Sequence, residues 1–182
     1  MSDDNNKGMS DAGANAENPA ALKALPMIFH AQFVRDLSFE NPQPHLIHDP
    51  KGGRPVMDVN FSIETVPAQS DKFKYMYETQ LGIRVKARRD DQVVFMAEVL
   101  YSTLVSLDGV PEEQHHPLLH IEAPRYAFPF VRQIIADLTQ QAGMLPLLLT
   151  PVDFHALYMQ RFGEEIRKGQ QQAANTTATG TA

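Results

Sequence analysis

The sequence contains no cysteine and no tryptophan among its 182 residues. Without cysteine there is no disulfide, no thiol nucleophile and no Cys-ligated zinc or iron–sulfur site. An excess of cations is lacking too, since 16 Lys and Arg stand against 22 Asp and Glu, a net charge of −6. Nucleic acid and anionic membranes are therefore disfavoured as partners, because phosphate binding needs clustered Lys and Arg. No apolar run approaches the roughly 18 residues that cross a bilayer, which rules out a transmembrane span and direct membrane insertion. The opening stretch lacks a basic region followed by an apolar core, so no secretory leader is expected. Also missing are a phosphate loop, a dinucleotide glycine fingerprint and a nucleophile-elbow serine. Lys51-Gly52-Gly53-Arg54 is the one Gly-basic cluster, and without a following helix it reads as a loop tip. The expectation is a soluble, acidic, cytoplasmic-type domain that needs no cofactor.

What is present suits a single globule, with 43% hydrophobic residues in a chain of one-domain length. Residues 1–26 are rich in Asp, Asn, Ala and Gly and carry no aromatic side chain, so a disordered N-terminal arm is expected. From Gly169 to Ala182 no charged and no large apolar residue occurs, so a disordered C-terminal tail is expected. The folded domain is then 27–168, and it remains acidic.

Within it the period changes once. Phe29, Ala31 and Phe33 alternate with His30 and Gln32, a strand that continues to Leu37. A crossover follows, with Pro42, Pro44, Pro50, Gly52, Gly53 and Pro55, too poor in backbone donors to pair regularly. Val59, Phe61 and Ile63 alternate with polar residues in a second strand. Tyr75 to Ala87 gives a third, with Leu81, Ile83 and Val85 on one face and Gln80, Arg84 and Lys86 on the other. After the turn Arg89-Asp90-Asp91, Val93–Leu107 is apolar on both faces apart from Glu98, so one side faces a core and the other is covered by helices or another subunit. Past Gly109 the pattern is helical. Val131, Ile134, Ile135 and Leu138 form one face, with Pro129 near the start and Gly143 as the stop. Thr150 as N-cap, Pro151 and Asp153 open a final helix whose apolar face carries Phe154, Leu157, Tyr158, Phe162 and Ile166. The fold class is α+β: a four-stranded antiparallel sheet with a Pro-rich crossover loop, followed by helices packed on the sheet.

The chemistry-bearing residues leave several readings open. His116 and His120 stand four apart beside Glu112, a spacing that can hold a metal and would support a metal-dependent hydrolase, but Pro117 interrupts the helix between them. Asp36 and Glu40 read as strand-end solvation or as part of an acidic docking face. Glu98, inside an apolar strand, has to be exposed, paired or used in binding. Met96, Met144, Phe61, Phe154 and Tyr158 suit an adaptable apolar groove for varied partners or one small apolar ligand, and equally suit a core.

Several stretches taken in order resemble SecB, the bacterial protein-export chaperone family. They are Asp36-Leu37-Ser38-Phe39-Glu40-Asn41-Pro42, Phe95-Met96-Ala97-Glu98-Val99, Gly109-Val110-Pro111-Glu112-Glu113-Gln114, His116-Pro117-Leu118-Leu119, Ala123-Pro124-Arg125, Phe128-Pro129-Phe130-Val131-Arg132, and the run from Pro146 to Tyr158. The similarity covers roughly residues 29–161. It implies a non-enzymatic homotetramer, a dimer of dimers, that binds unfolded precursor polypeptides in the cytoplasm without ATP and delivers them to SecA, the export motor. By the same resemblance Val59, Phe61, Ile63, Phe154, Leu157 and Tyr158 line the client groove. Ala97, Val99 and Tyr101 lie where dimers pack into tetramers. Asp36, Glu40, Met96 and Glu98 form the patch that docks the basic, zinc-binding tail of SecA, whose zinc belongs to that partner. Met96 stands where Leu is familiar in the family, a substitution of similar volume.

Overall fold

The computed structural model describes residues 26–47 and 53–179. The N-terminal arm expected over 1–26 therefore lies, but for Pro26, outside the described residues. Four antiparallel strands, β1 (Ile28–Glu40), β2 (Val56–Pro67), β3 (Met76–Arg89) and β4 (Gln92–Ser106), make one sheet in the order β1-β4-β3-β2. The antiparallel sheet and the helices that follow it match the α+β expectation. β4 and β3 are central and carry the most buried residues, whereas β1 and β2 are edges.

Alternation decides the faces. Leu81, Ile83, Val85, Ala97 and Val99 have essentially no exposed surface and point to one side, where the main core forms. Arg84, Lys86, Met96 and Glu98 stand at the alternate positions and point to the other. The turn Asp90-Asp91 joins β3 to β4, with Asp90 at φ 52°, a left-handed conformation that Asp tolerates better than most residues. A register shift at Ala87/Arg88 then moves β4 by one residue relative to β3. In the crossover, the short helix α1 (Pro44–Ile47) lays Leu46 and Ile47 against the core, and the Arg89 guanidinium donates to the Leu46 carbonyl.

The helical half differs from expectation in its connectivity. Residues 112–141 form one nearly continuous helical run: α2 (Glu112–Pro117), a π-helical turn (Leu118–Glu122) and α3 (Ala123–Gln141). Pro117 does not end it. The proline-bearing stretch is accommodated by the wider turn, in which the Ala123 N–H bonds the Leu118 carbonyl. Pro129 sits inside α3 rather than near its start, and the carbonyl it cannot serve belongs to exposed Arg125, where water can reach it. α3 buries Ala127, Phe128, Val131 and Ile135 on the sheet. It ends in a Schellman motif: Gly143, at φ 81°, donates to Gln140 and Met144 donates to Thr139.

α4 (Phe154–Thr179) starts three residues later than the Thr150 cap suggests, because Asp153 is the N-cap. Its carboxylate accepts the Ala156 N–H at 2.9 Å. The helix runs on past Lys168 to Thr179, through residues whose composition suggested a tail. Gln and Ala are good helix formers and propagate a helix already anchored by Phe154 and Tyr158. No helix of the described residues is long and apolar enough to cross a membrane. The helices cover one face of the sheet, and the other face carries the charged row.

Candidate functional site

Three surfaces gather the residues singled out in the sequence. The first is the sheet face that no helix among the described residues covers. Register sets Ser38 of β1 opposite Glu98 of β4, which in turn faces Arg84 of β3 and then Asn60 of β2. The next row is Glu40, Met96, Lys86 and Asp58. Two shallow depressions open here, of about 300 and 390 Å³. Asp36 lines the first, Glu40 and Met96 line the second, and Glu98 lines both. All four residues expected on a docking patch thus share one face. Glu98 is not a free carboxylate, however. The Arg84 guanidinium grips it with two bonds, Nε to Oε2 at 3.1 Å and NH2 to Oε1 at 2.8 Å. Further along the same face Glu78 accepts from Ser102 at 2.6 Å, Arg35 at 2.8 Å and Gln80 at 3.1 Å. The Ser102 hydroxyl above all holds its carboxyl below the usual range, helped by Gln80 and by the Arg35 charge.

The second surface is a trough between β2 and α4. A cavity of about 310 Å³ is walled by Phe61 and Ile63 on the strand and by Leu157, Tyr158, Arg161 and Phe162 on the helix. His120 and Phe162 separate it from a wider one of about 520 Å³ that reaches Thr65, Tyr77 and His116. The Arg161 guanidinium spans the trough to the Ile63 carbonyl at 3.1 Å. Four of the six residues expected in a groove line this cavity: Phe61, Ile63 and Leu157 are half-buried, and Tyr158 is 9% exposed, whereas Val59 packs against the core and lines neither cavity. Phe154 does not line them either. At 1% exposure it is sealed in the core, its ring against Phe128 at 6.0 Å, because the first residue of α4 points down onto α3 rather than across to β2.

Glu112, His116 and His120 do not converge. The Glu112 carboxylate takes the Tyr75 hydroxyl, His116 Nδ1 meets the Tyr158 hydroxyl at 2.9 Å, and His120 Nδ1 donates to the His116 carbonyl at 2.9 Å. The imidazoles stack on each other and edge onto Phe162, members of an aromatic cluster. Partial burial pushes both pKa values down. No group of three His, Asp or Glu among the described residues is placed to hold a metal.

The third surface is apolar and, among the described residues, unpaired. β1 exposes Ile28, Phe33, Val34 and Leu37 along its edge, and α3 exposes Tyr126 and Phe130 on the flank where their rings meet Phe29 of β1 and Tyr101 of β4. Ala97, Val99 and Tyr101 are not part of that exposed surface. They lie in the protomer's own core beneath α3, because odd-numbered positions of β4 face the helices, and the Tyr101 ring stacks under Phe130 at 6.0 Å.

The sequence had given no role to Arg84 as the partner of Glu98, nor to His120, Arg161 and Phe162 in the trough. The i, i+4 spacing of Leu157/Arg161 and Tyr158/Phe162 was the available signal for the latter.

Comparison with known proteins gives consistent results. The family model described as preprotein translocase subunit SecB matches residues 21–165. The Zymomonas mobilis protein-export protein SecB is 40% identical over 96% of this chain and 100% of its own length. The Rhodospirillum rubrum protein of the same name is 38% identical over 93% and 98%, respectively. Among solved structures, a Mycobacterium tuberculosis SecB-like chaperone in complex with an antitoxin peptide aligns with TM-score 0.57 at 15% identity, covering 69% of this chain and 90% of that one. At that identity the match speaks for the fold alone.

Proposed function

This chain belongs to the SecB family, and from that premise we propose that it holds unfolded precursor polypeptides in the cytoplasm without ATP and hands them to the SecA motor. It is a chaperone of protein export and not an enzyme. The observation that carries the client reading is the trough between β2 and α4, with the half-buried side chains of Phe61, Ile63 and Leu157 available along its walls. Unfolded chains expose apolar stretches of no fixed sequence, and a long apolar trough binds them wherever they occur. Several troughs in one assembly raise the affinity by avidity without adding specificity.

Self-association into a dimer of dimers needs two different interfaces. The β1 edge with its exposed Phe33 and Leu37 suits one, and the exposed flank of α3 with Tyr126 and Phe130 suits the other. In this reading Ala97, Val99 and Tyr101 act on assembly by setting the height of α3 rather than by touching the partner. The uncovered sheet face, with Asp36, Glu40, Met96 and Glu98, suits docking of a basic SecA segment, since it stays on the opposite side of the sheet from α3.

The test is light scattering on a sizing column, with and without a reduced, permanently unfolded polypeptide. The expected result is a mass four times the 20.4 kDa of one chain that rises when the polypeptide is added. A monomer that binds nothing would overturn the proposal. A tetramer indifferent to the polypeptide would reassign the trough to a small apolar ligand.

A further inference from the structure

Around Glu98 the charges on the uncovered sheet face fall by strand, two acidic strands lying beside a basic one with an acidic edge beyond it. Asp36 and Glu40 lie on β1 and Glu98 on β4, Arg84 and Lys86 follow on β3, and Asp58 on β2. Arg84 sits directly opposite Glu98 in the ladder, so their contact needs no reorganisation of either strand. The two depressions share Asn60, Arg84 and Glu98, so the ion pair forms the ridge between the one that holds Asp36 and the one that holds Glu40. A cationic segment that contacts Asp36, Glu98 and Glu40 together passes along that ridge. There it meets a carboxylate whose oxygens both already accept from a guanidinium, and it meets the positive charge of that guanidinium as well.

We propose that Arg84 is a resident counter-ion that competes with the incoming basic segment for Glu98, and so sets the tightness and the salt sensitivity of docking on this face. The inference rests on the docking role proposed above for Glu98. Both side chains are exposed, 62% for Arg84 and 47% for Glu98, so the pair is weak enough to be displaced. It is also well enough formed, with two bonds to one carboxylate, to have to be displaced. Selectivity follows: a segment with a single Lys gains little by replacing a bidentate Arg, whereas a segment whose Arg can fork onto Glu98 while other cations reach Asp36 and Glu40 replaces it with profit.

A four-member comparison tests this: the full chain, Arg84→Gln, Glu98→Gln and the double variant, each titrated with purified SecA at about 50 mM salt and again at about 200 mM. Melting curves confirm that each variant is folded. Glu98→Gln is expected to loosen docking severalfold. Arg84→Gln is expected to tighten it about two- to fivefold at low salt, the range by which exposed ion pairs shift an equilibrium, with a steeper loss at high salt. The double variant should match Glu98→Gln alone. Glu98→Gln that loosens docking while Arg84→Gln leaves it unchanged or looser would overturn the competitor role and keep the docking role. A gain from Arg84→Gln that persists without Glu98 would also overturn it, since the effect would then be one of general charge. No effect of Glu98→Gln would remove the docking role itself, and the competitor role with it.

Discussion

The imidazoles of His116 and His120 stack with their centres 4.2 Å apart at the wall of the trough, so charging both would set two like charges in contact. Partial burial is the main reason that both rings titrate below the ordinary histidine range. At His116 the Glu165 carboxylate works against this and Arg161 with it. At His120 the bond to the His116 carbonyl works against it, and the charges of His116 and Arg161 add to it.

In the unfolded chain both rings take up protons near pH 6.5. Their folded values are lower, so between the two values the unfolded state binds more protons and stability rises with pH. The stabilisation is complete above about pH 6.5 and is lost as pH falls through the folded values. A melting series from pH 8 to 5 should be flat at first and fall below about pH 6.5, and the variant His116→Gln/His120→Gln should fall less steeply. An unchanged slope in the variant would assign the acid response to other groups.

Core and groove lie one helical turn apart on α4. Phe154→Ala, which empties a sealed site, should cost about 3–5 kcal/mol of stability by denaturant unfolding. Leu157→Ser, on the half-buried wall, should cost clearly less and yet weaken the holding of an unfolded polypeptide, measured as suppression of its refolding. Equal stability losses would mean that the trough wall is core.

Phe130 is 51% exposed above Tyr101. Phe130→Glu should leave the far-ultraviolet circular dichroism unchanged and lower the mass measured by light scattering below four chains. A retained tetramer would move the second interface away from α3.

Ser102 is fully buried and gives its hydroxyl to Glu78. Ser102→Ala should cost about 1.5–3 kcal/mol at pH 7, the usual range for a hydrogen bond to a charged group. Because the bond lowers the carboxyl's pKa, its stabilisation is present above the unfolded value and is lost as pH falls through the folded one, so the cost should shrink below about pH 4. A cost that does not change with pH would point to packing alone.

Much of the fold was legible because strand alternation is a strict code. The faces of β3 and β4 follow from Leu81, Ile83 and Val85 against Arg84 and Lys86 with no further information. The run Glu112–Gln141 was less legible because three prolines interrupt it. A proline signals a break unless a wider turn or an exposed carbonyl absorbs the loss, and neither can be seen in a sequence.

The candidate site was legible in composition and not in pairing. Counting back from the Asp90-Asp91 turn without irregularity sets Arg84 against Ala97. The single shift at Ala87/Arg88 sets it against Glu98 instead. Phe154 and Leu157 have equal apolar character, and only the direction of the first turn of α4 makes one core and the other wall.

The bond from Arg161 to the Ile63 carbonyl reaches beyond the trough it spans. β2 is a sheet edge, and a protein that keeps apolar, extended chains beside such an edge runs the risk of templating them into its own sheet. A guanidinium parked on an outward carbonyl of that edge occupies the place where a new ladder would start. An extended chain approaching that edge meets a carbonyl already engaged within the protomer, and strand addition at Ile63 would first have to displace Arg161.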